Sequence, residues 1–326
     1  MKAAVIGCGA WGTALAMRLC ANGHDTVLWA HSEEVAETMR TTGQNPLLEG
    51  VALPKELKIT CSADCVKDCD LVVVATASIY IRSTCRMIAP YLNENTVIAS
   101  ATKGIDSHLR MSQIVEEELA RTVVAITGPT HAEEVSRNMP TGCLAASNDQ
   151  ARAKRVQDAF ISDNFRIYTS SDIVGAELGG AIKNVIALCA GVVDGLGHGD
   201  NTKALLMTRG LAEIARLGVA MGGREDTFLG LAGVGDLIVT CTSMHSRNRR
   251  AGILIGQGHS AQEAMQKVGA VVEGYYATKS VWELAQKYGV DMPITRAAYR
   301  VLYEGKDAHE EVRELLLRRP SAEMDK

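Results

Sequence analysis

The chain has 326 residues, about twice the length of a typical domain, so two domains are expected. Its 34 basic and 38 acidic residues give a net charge of −4, which argues against a dedicated nucleic-acid binder, because such proteins carry an excess of basic residues. With 47% apolar and 22% charged residues, the chain has enough apolar side chains for packed cores, which excludes global disorder.

The sequence carries no predicted signal for export or for membrane insertion. No uninterrupted run reaches about 18 apolar residues, and the N-terminus lacks the charged and apolar regions of a secretory signal. We therefore expect a cytoplasmic protein whose nine cysteines are reduced thiols. Cys61, Cys65 and Cys69 recur every four residues, which would place them on one helix face, but no second set of ligands has zinc-site spacing, so no metal is expected.

The first half of the chain alternates strand and helix patterns. Lys2–Ile6 is predicted as a strand, Gly7–Gly12 as a turn, Thr13–Asn22 as a helix that stops at Gly23, and Thr26–Trp29 as a second strand. Further buried strands are predicted at Leu71–Ala75, Thr96–Ala99, Val123–Ile126, Thr141–Ala146 and Phe165–Tyr168. Because these runs are apolar on both faces and alternate with helices, they predict an α/β fold with a doubly wound parallel sheet.

After Tyr168 the pattern becomes helical. Ser171–Asp172 is typical of a helix N-cap. The periodic segments that follow are residues 173–194, 202–218, 260–268, 275–288, 295–303 and 308–318. We therefore predict a dinucleotide-binding sheet domain at residues 1–170, an all-helical substrate domain at 171–320 and a flexible tail at 321–326.

The turn after the first strand carries a phosphate-binding motif. Gly7, Gly9 and Gly12 fit the pattern G-x-G-x-x-G between a strand and a helix. The first glycine permits the tight turn, the second lets a pyrophosphate approach the backbone, and the third lets helix and strand pack closely. The alternative is a purely structural turn, but the position inside a βαβ unit favours a Rossmann-type dinucleotide site.

The end of the second strand indicates which cofactor is bound. NAD-selective sites place an acidic residue there, whereas this chain has His31 followed by Ser32. Glu33 and Glu34 fit the first turn of a helix capped by Ser32. A partly charged His31 can meet a 2′-phosphate, so we predict NADP as the cofactor, with NAD tolerated.

Two loops at the carboxyl ends of strands offer groups for a ligand. Lys103 follows one predicted strand and is placed to face the crevice of an open α/β sheet. Gly128 ends the next strand, and Thr130 with Glu133 matches a helix-capping box. A helix N-terminus in a crevice also suits an anionic substrate.

The first helix of the second half contains an unusual lysine. Gly180, Lys183, Asn184 and Ala187 fall on one helical face. Because two adjacent glycines inside a helix are unfavourable, something is expected to approach that face closely. Lys183 is either a surface lysine or a desolvated one with a lowered pKa that exchanges a proton with a substrate oxygen.

A second cluster lies between residues 230 and 250. A predicted glycine-rich loop leads to Asp236, with Thr240 one helical turn later. The segment from Ser246 to Arg250 holds three arginines beside Asn248, and these predict a compact site for a phosphorylated small molecule.

Together these segments resemble the NAD(P)-dependent sn-glycerol-3-phosphate dehydrogenases of the bacterial biosynthetic type. The resemblance spans nearly the whole chain and is carried by Gly7–Ala14, Ala101–Ile105, Gly128–Glu133, Glu177–Asn184, Asp194–Arg216, Phe228–Thr242, Ser246–Gly252 and Val271–Gly274. It implies an enzyme that interconverts dihydroxyacetone phosphate and sn-glycerol 3-phosphate with NADPH or NADH, and that supplies glycerophospholipid synthesis. It also implies a homodimer.

The resemblance assigns roles to individual residues. Lys183 is the implied acid–base group, and Asp236 is expected to orient it. The implied substrate site comprises Lys103, Gly128, Thr130, Lys183, Asp236, Ser246, Arg247 and Asn248, to which we add Asn184 and Thr240. The predicted cofactor site comprises Gly7, Gly9, Ala10, Trp11, Gly12, His31, Lys103, Ala132, Arg247, Val271 and Glu273.

Three positions depart from the family pattern. His31 stands where arginine is usual, Ala77 where proline is usual, and His131 where phenylalanine is common.

Two other functions stay open at this point. Dehydrogenases of 3-hydroxy acids or 6-phosphogluconate share a helical lysine–asparagine pair, and a silent NAD(P)-sensing module would need only the glycine turn.

Overall fold

The computed structural model describes residues 1–319. The predicted flexible tail, 321–326, lies outside the described residues.

The first part of the chain alternates strands and helices. Its strands are β1 (Lys2–Ile6), β2 (Asp25–Trp29), β3 (Lys58–Thr60), β4 (Leu71–Val74), β5 (Val97–Ser100), β6 (Ile105–Asp106), β7 (Leu109–Arg110), β8 (Val123–Thr127), β9 (Thr141–Ala146) and β10 (Phe165–Ser170). Its helices are α1 (Ala10–Ala21), α2 (Glu33–Thr42), α3 (Ile81–Ile88), α4 (Met111–Leu119), α5 (Ala132–Ser136) and α6 (Gln150–Phe160).

Within residues 1–319, eight of these strands form one sheet in the order β10-β9-β8-β5-β4-β1-β2-β3. The doubly wound α/β fold is confirmed, but the prediction of a wholly parallel sheet is wrong, since β9 runs antiparallel to β8. The connection between them contains only the five-residue α5. A helix of that size spans about 7 Å, less than half the length of β8, so it does not return the chain to the start of a parallel strand.

The central strands are buried on both faces, as their apolar composition predicts. Along β1, Ala3 and Val5 pack into the core on one side of the sheet, while Ala4 and Ile6 pack into the core on the other side. The alternation follows from the two-residue period of a strand. Helices therefore cover both faces, and the carboxyl ends of the strands are left free to form a ligand crevice.

Several local predictions differ from the observed structure. The first helix starts at Ala10 rather than Thr13, and β3 and the β6–β7 hairpin were not predicted. The predicted helical face of Cys61, Cys65 and Cys69 is wrong: Cys61 precedes the turn, and a four-residue 3₁₀ helix at Ala63–Val66 contains only Cys65. All nine cysteines are free.

The second part of the chain is helical. Its helices are α7 (Ile173–Gly195), α8 (Asp200–Ala220), α9 (Glu225–Phe228), α10 (Asp236–Thr242), α11 (Arg247–Gly256), α12 (Ala261–Val268), α13 (Glu273–Tyr288), α14 (Pro293–Tyr303) and α15 (Ala308–Leu316). Asp172 caps α7 by accepting a hydrogen bond from the Gly175 amide, which confirms the predicted N-cap. The predicted glycine-rich loop before Asp236 is instead a π-helical turn, Leu231–Gly235, in which Gly233 lies so close to the backbone of Phe228 that a Cβ atom would overlap it.

Helix α7 is the central element of this part. By length and composition it is apolar enough to cross a membrane, but 89% of its most apolar 18-residue window is buried inside the protein. The bent pair of segments Glu225–Thr242 and Arg247–Gly256 passes the same test only if it is counted as one span. Burial among the neighbouring helices accounts for the composition of α7.

A buried carboxylate connects α7 to the sheet-containing part. Glu177 accepts hydrogen bonds from the backbone amide of Ser112 at 2.7 Å and from its hydroxyl, at the start of α4. Arg110 forms an ion pair with the same carboxylate. Burial raises the pKa of Glu177, although Arg110 and Ser112 oppose the shift. These contacts fix the start of α7 beside the sheet.

Glycines let α7 and α11 cross with their backbones in contact. A Cβ atom on Gly191 would overlap the carbonyl oxygen of Arg249, and one on Gly252 would overlap that of Leu188. Gly195 and Gly256 make equivalent approaches one helical turn later. Since backbone atoms meet directly, the distance between the two helices is fixed.

We expect Gly252→Ala to lower the free energy of unfolding by about 1–3 kcal/mol, because the added methyl group has no space at the crossing. This loss is expected despite the roughly 1 kcal/mol that alanine normally gains over glycine inside a helix. Urea denaturation measures the change. In Gly142→Ala, the matched control in β9, the new Cβ meets its nearest atoms at 3.8 Å, an ordinary van der Waals contact, and a change below about 0.5 kcal/mol is expected. Equal midpoints for the two variants would contradict a fixed crossing.

Candidate active site

A cleft of about 470 Å³ lies where the carboxyl ends of the strands face the helical part. It brings together most of the residues predicted to bind substrate or cofactor: Gly9, Ala10, Trp11, Lys103, Thr130, Ala132, Lys183, Asn184, Asp236, Thr240, Ser246, Arg247, Asn248, Val271 and Glu273. Gly7, Gly12, His31 and Gly128 are not part of its wall. The cleft therefore contains both the glycine turn and the predicted proton-transfer groups.

The glycine turn has the geometry that a dinucleotide site requires. Gly7 has a φ of +124°, and a Cβ there would lie 2.7 Å from the carbonyl oxygen of Ala75. A Cβ on Gly12 would overlap the carbonyl oxygen of Gly7, so this glycine lets α1 pack against the turn. Gly9 has no atom within 4 Å of its Cβ position and lines the cleft. A pyrophosphate can therefore approach Gly9 and the free amides at the start of α1.

The end of β2 presents a histidine rather than an acid. His31 is exposed, and its Nδ1 lies 3.8 Å from the sulfur of Cys8. The predicted cap is confirmed, since the Ser32 hydroxyl accepts a hydrogen bond from the Val35 amide. Glu33 pairs with Arg40 along α2. Glu33 is thus engaged within its own helix, and His31 is exposed just after the end of β2.

One carboxylate in the cleft binds two lysines. Asp236, at the start of α10, accepts hydrogen bonds from Lys183 Nζ at 2.6 Å on one oxygen and from Lys103 Nζ at 2.8 Å on the other. The Thr240 hydroxyl lies 2.6 Å from Lys183 Nζ, and the Gly128 carbonyl oxygen accepts from Lys103 at 2.8 Å. Asp236 and Lys183 are buried, and Lys103 is 19% exposed toward the cleft. Of the two alternatives that the sequence left open for Lys183, a surface lysine and a desolvated one, the structure has the desolvated one.

Burial and the neighbouring charges shift the pKa values of this cluster. Burial lowers the pKa of Lys183 from 10.5 to about 8, with Lys103 adding to the shift and Asp236 opposing it. Burial tends to raise the pKa of Asp236, but Lys103 and Lys183 outweigh it, so this pKa lies below its usual value. Near neutrality the three groups carry one net positive charge, which favours an anionic ligand.

The paired glycines of α7 make this arrangement possible. A Cβ on Gly180 would lie 2.5 Å from the Thr127 hydroxyl oxygen and 3.9 Å from Lys103 Cδ. A Cβ on Gly179 would lie 2.5 Å from the Ala232 carbonyl oxygen. The prediction that something approaches the glycine-containing part of this helix is confirmed: the end of β8, Lys103 and the π-helical turn do so.

The predicted capping box at Thr130 is wrong. His131 is the residue before α5, no side chain caps that helix, and the Thr130 hydroxyl donates to the Gly128 carbonyl oxygen at 3.1 Å. The helix begins one residue too late for Thr130 to reach its free amides. His131 Nε2 lies 3.3 Å from the Val239 carbonyl oxygen, and burial lowers its pKa, with the nearby lysines contributing.

The three-arginine anion site predicted near residue 248 is also only partly correct. Arg247 and Arg250 line the cleft from one face of α11, one turn apart. Arg249 points the opposite way and forms an ion pair with Asp194 at 2.7 Å. Ser246 is the N-cap of α11 and accepts from the Arg249 amide. The cleft therefore contains two of the three predicted arginines, both in the first turn of α11.

Two asparagines connect the helices around the cleft. Asn248 donates to the side-chain oxygen of Asn184 at 3.0 Å and accepts from the Gly274 amide at 2.8 Å. Glu273 accepts from the Ser78 hydroxyl at 2.8 Å, which connects α13 to the segment after β4. Burial raises the pKa of Glu273.

The sequence prediction did not include Thr76 and His245, which also line the cleft. Thr76 follows the buried strand β4, so the rule that ligands lie beyond carboxyl strand ends was the available signal. The Thr127 hydroxyl and Arg250 Nε are buried without a hydrogen-bond partner among the described residues. Across residues 1–319, no group of three or more His, Cys, Asp or Glu side chains is arranged to hold a metal ion.

Comparison with known proteins shows which family the sequence of this chain matches. The family model described as NAD-dependent glycerol-3-phosphate dehydrogenase N-terminus matches residues 2–153, and the corresponding C-terminus model matches residues 172–313. A relative from Thermoanaerobacter sp., named glycerol-3-phosphate dehydrogenase (NAD(P)+), is 49% identical over 98% of this chain and 97% of its own length.

Solved structures agree with the sequence matches. The crystal structure of glycerol-3-phosphate dehydrogenase from Coxiella burnetii has a TM-score of 0.94 and 36% identity, covering 97% of this chain and 99% of that one. The Saccharomyces cerevisiae glycerol-3-phosphate dehydrogenase has a TM-score of 0.82 and 27% identity, covering 95% of this chain and 98% of that one.

We expect Asp236→Asn to destabilise the fold, because it leaves two ammonium groups without their shared counter-charge. The expected loss at pH 7 is about 3–5 kcal/mol in the free energy of unfolding. Since the pKa of Lys183 is already lowered to about 8, Lys183 is neutral at pH 9.5 and the loss should be smaller there. Urea denaturation at both pH values measures this difference.

The matched control for Asp236→Asn is Asp226→Asn, which removes an exposed ion pair with Arg224. It should change the free energy of unfolding by less than about 1 kcal/mol at either pH. A pH-independent loss in Asp236→Asn would contradict the assigned interaction.

Proposed function

The chain belongs to the NAD-dependent glycerol-3-phosphate dehydrogenase family, and we propose that Lys183 is the acid–base group of its reaction. The enzyme interconverts dihydroxyacetone phosphate and sn-glycerol 3-phosphate with NAD(P)H. The main support for this proposal is that Lys183 and Lys103 both donate hydrogen bonds to Asp236 at the wall of the cleft. This arrangement presents a buried acid and a second cation to a ligand oxygen.

Lys183 holds the proton that the C2 oxygen of the ketone needs when it becomes an alcohol. Its pKa of about 8 lies near neutrality, so the ammonium donates in the reducing direction and the amine accepts in the oxidising direction. Asp236 and Thr240 fix the position of Nζ. Lys103 adds positive charge where negative charge develops on oxygen in the transition state.

The other cleft residues orient the substrate. Arg247, at the N-terminus of α11, supplies a guanidinium for the substrate phosphate, and Ser246 and Asn248 flank it. Gly128, Thr130, Asn184 and Thr240 complete the proposed substrate site. Holding the phosphate fixes C2 against the proton donor, and such positioning lowers the barrier by several kcal/mol.

The chain has residues suited to a nicotinamide dinucleotide. The open space at Gly9 and the free amides at the start of α1 fit its pyrophosphate. We propose that Gly7, Gly9, Ala10, Trp11, Gly12, His31, Lys103, Ala132, Arg247, Val271 and Glu273 form its site. When bound, the reduced nicotinamide supplies the hydride. His31 at the end of β2, with no acidic residue in its place, supports a preference for NADP with NAD tolerated.

Further proposals concern the setting of the enzyme. Family membership supports a cytoplasmic homodimer that supplies sn-glycerol 3-phosphate for glycerophospholipid synthesis. We also propose the division into a cofactor domain at residues 1–170 and a substrate domain at 171–320. The change from sheet to helix between β10 and α7 supports that boundary.

We expect Lys183→Met to reduce kcat for dihydroxyacetone phosphate reduction by a factor of about 10²–10⁴, because the proton donor is lost. NADPH oxidation followed by absorbance measures kcat, and fluorescence titration should show unchanged NADPH binding. In the wild type, kcat/KM for reduction should fall as the pH rises through about 8, since Lys183 loses its proton. Retained turnover, or the same pH limb in the variant, would contradict the acid–base role.

We expect Arg247→Ala to raise KM for dihydroxyacetone phosphate about 10- to 100-fold, since a charge-assisted hydrogen bond to phosphate contributes about 1.5–3 kcal/mol. Steady-state kinetics measure the change. Arg155→Ala is the matched control, because Arg155 is exposed on α6 and does not line the cleft. If both variants keep the wild-type KM, Arg247 does not hold the phosphate.

A further inference from the structure

Arg249 lies beside the proposed phosphate-binding residues but makes its contacts away from the cleft. Its Nε and Nη2 lie 2.8 and 2.7 Å from one carboxylate oxygen of Asp194, near the end of α7. Its Nη1 donates to the Thr242 carbonyl oxygen at 2.8 Å and lies 3.0 Å from the Met244 sulfur. One guanidinium therefore connects α7 with the end of α10 and the turn that leads to α11.

Asp194 is held from a second side. Its other carboxylate oxygen lies 2.6 Å from Lys203 Nζ, in the first turn of α8. The side chains of Asp194, Lys203 and Arg249 are each 13–15% exposed, so the interaction is shielded from solvent. An ion pair that is shielded from solvent, and in which two guanidinium nitrogens contact the carboxylate, restrains its partners more than a surface pair does.

The anchored turn carries the proposed phosphate-binding groups. Residues 243–246 join α10 to α11, Ser246 accepts from the Arg249 amide, and Arg247 is the first residue of α11. Asp236 and Thr240, which hold Lys183, lie on the preceding helix α10. The Asp194–Arg249 contact thus connects the helix that carries the proton donor with the turn that carries the phosphate-binding arginine.

The glycine crossing restricts how this turn can move. Because the backbones of α7 and α11 meet at Gly191 and Gly252, α11 cannot approach α7 any further. The close approaches lie at Gly252 and Gly256, beyond the turn that precedes α11, so the crossing alone does not hold that turn. Arg249 does so, since its guanidinium contacts both Asp194 on α7 and the Thr242 carbonyl oxygen just before the turn.

We propose that Asp194 is a positioning residue that acts through Arg249 to aim Arg247 at the substrate phosphate. The inference rests on the proposed role of Arg247. It assigns to Asp194 and Arg249 no contact with the substrate. Their effect is to fix the distance between the phosphate-binding turn and Lys183, and so to match the cleft to a three-carbon phosphate.

Two substitutions separate positioning from a simple charge effect. Asp194→Asn leaves Lys203 and Arg249 without their counter-charge, so electrostatics alone would attract the phosphate and lower KM. Arg249→Lys keeps the charge but loses the planar fork, so electrostatics alone would leave KM unchanged. Positioning predicts that KM for dihydroxyacetone phosphate rises in both variants, by about tenfold, because small displacements of a binding group are costly.

The experiment measures kcat, KM and NADPH affinity for both variants in the wild-type and Arg247→Ala backgrounds. We expect NADPH affinity within about twofold of wild type, and a lower kcat together with the higher KM, because C2 is no longer held against Lys183. Both changes should largely disappear when Arg247 is already absent, as for groups that act as a unit. Asp226→Asn, which removes an exposed pair with Arg224, is the control and should leave all three unchanged.

Each outcome decides the proposal. A KM that falls or stays constant in Asp194→Asn, or an increase of equal size in both backgrounds, overturns it. If Asp194→Asn does not fold, Arg249→Lys is the deciding variant. If Arg247→Ala itself leaves KM unchanged, the proposed phosphate role fails, and that result is distinct from failure of the positioning proposal.

Discussion

The interaction on which the site depends is one buried carboxylate shared by two ammonium groups. Asp236 meets Lys183 and Lys103 from α7 and from the loop after β5, elements that lie far apart in the sequence. A buried ion is strongly destabilising unless its partners are well placed, so this cluster requires the sheet, α7 and α10 to be packed together. It also leaves one net positive charge facing the cleft, which suits a phosphorylated substrate.

Close backbone contacts make that packing possible. Gly179 and Gly180 admit the π-helical turn and the end of β8 to one part of α7, and Gly191 and Gly195 admit α11 to another. Helix α7 therefore carries Lys183 near its middle and contacts α11, which begins with Arg247, near its end. Glycine is unfavourable inside a helix, because it loses more backbone entropy on folding than other residues. Here that cost is offset by a fixed distance between Lys183 and the start of α11.

The sequence alone predicts the features that depend on local pattern. The strand–turn–helix at Gly7–Gly12, the N-cap at Asp172 and the close approach of other elements to the glycines of α7 follow from periodicity, turn chemistry and helix propensity. Features that depend on distant partners were wrong or missed. The direction of β9 was not visible, since an apolar run looks the same in either direction, and Thr130 failed as a cap because α5 starts one residue late. Arg249 was grouped with its neighbours because α11 was not predicted; in a helix, its side chain faces away from those of Arg247 and Arg250.

Burial, against the opposing attraction of Asp236, lowers the pKa of the Lys183 ammonium group to about 8. The most direct test is an NMR titration of the ¹³Cε resonance of Lys183, assigned by its absence from a protein that lacks this lysine. We expect the Lys183 ammonium group to titrate with a midpoint near pH 8. A midpoint near 10.5, the value of an unperturbed lysine, would contradict it.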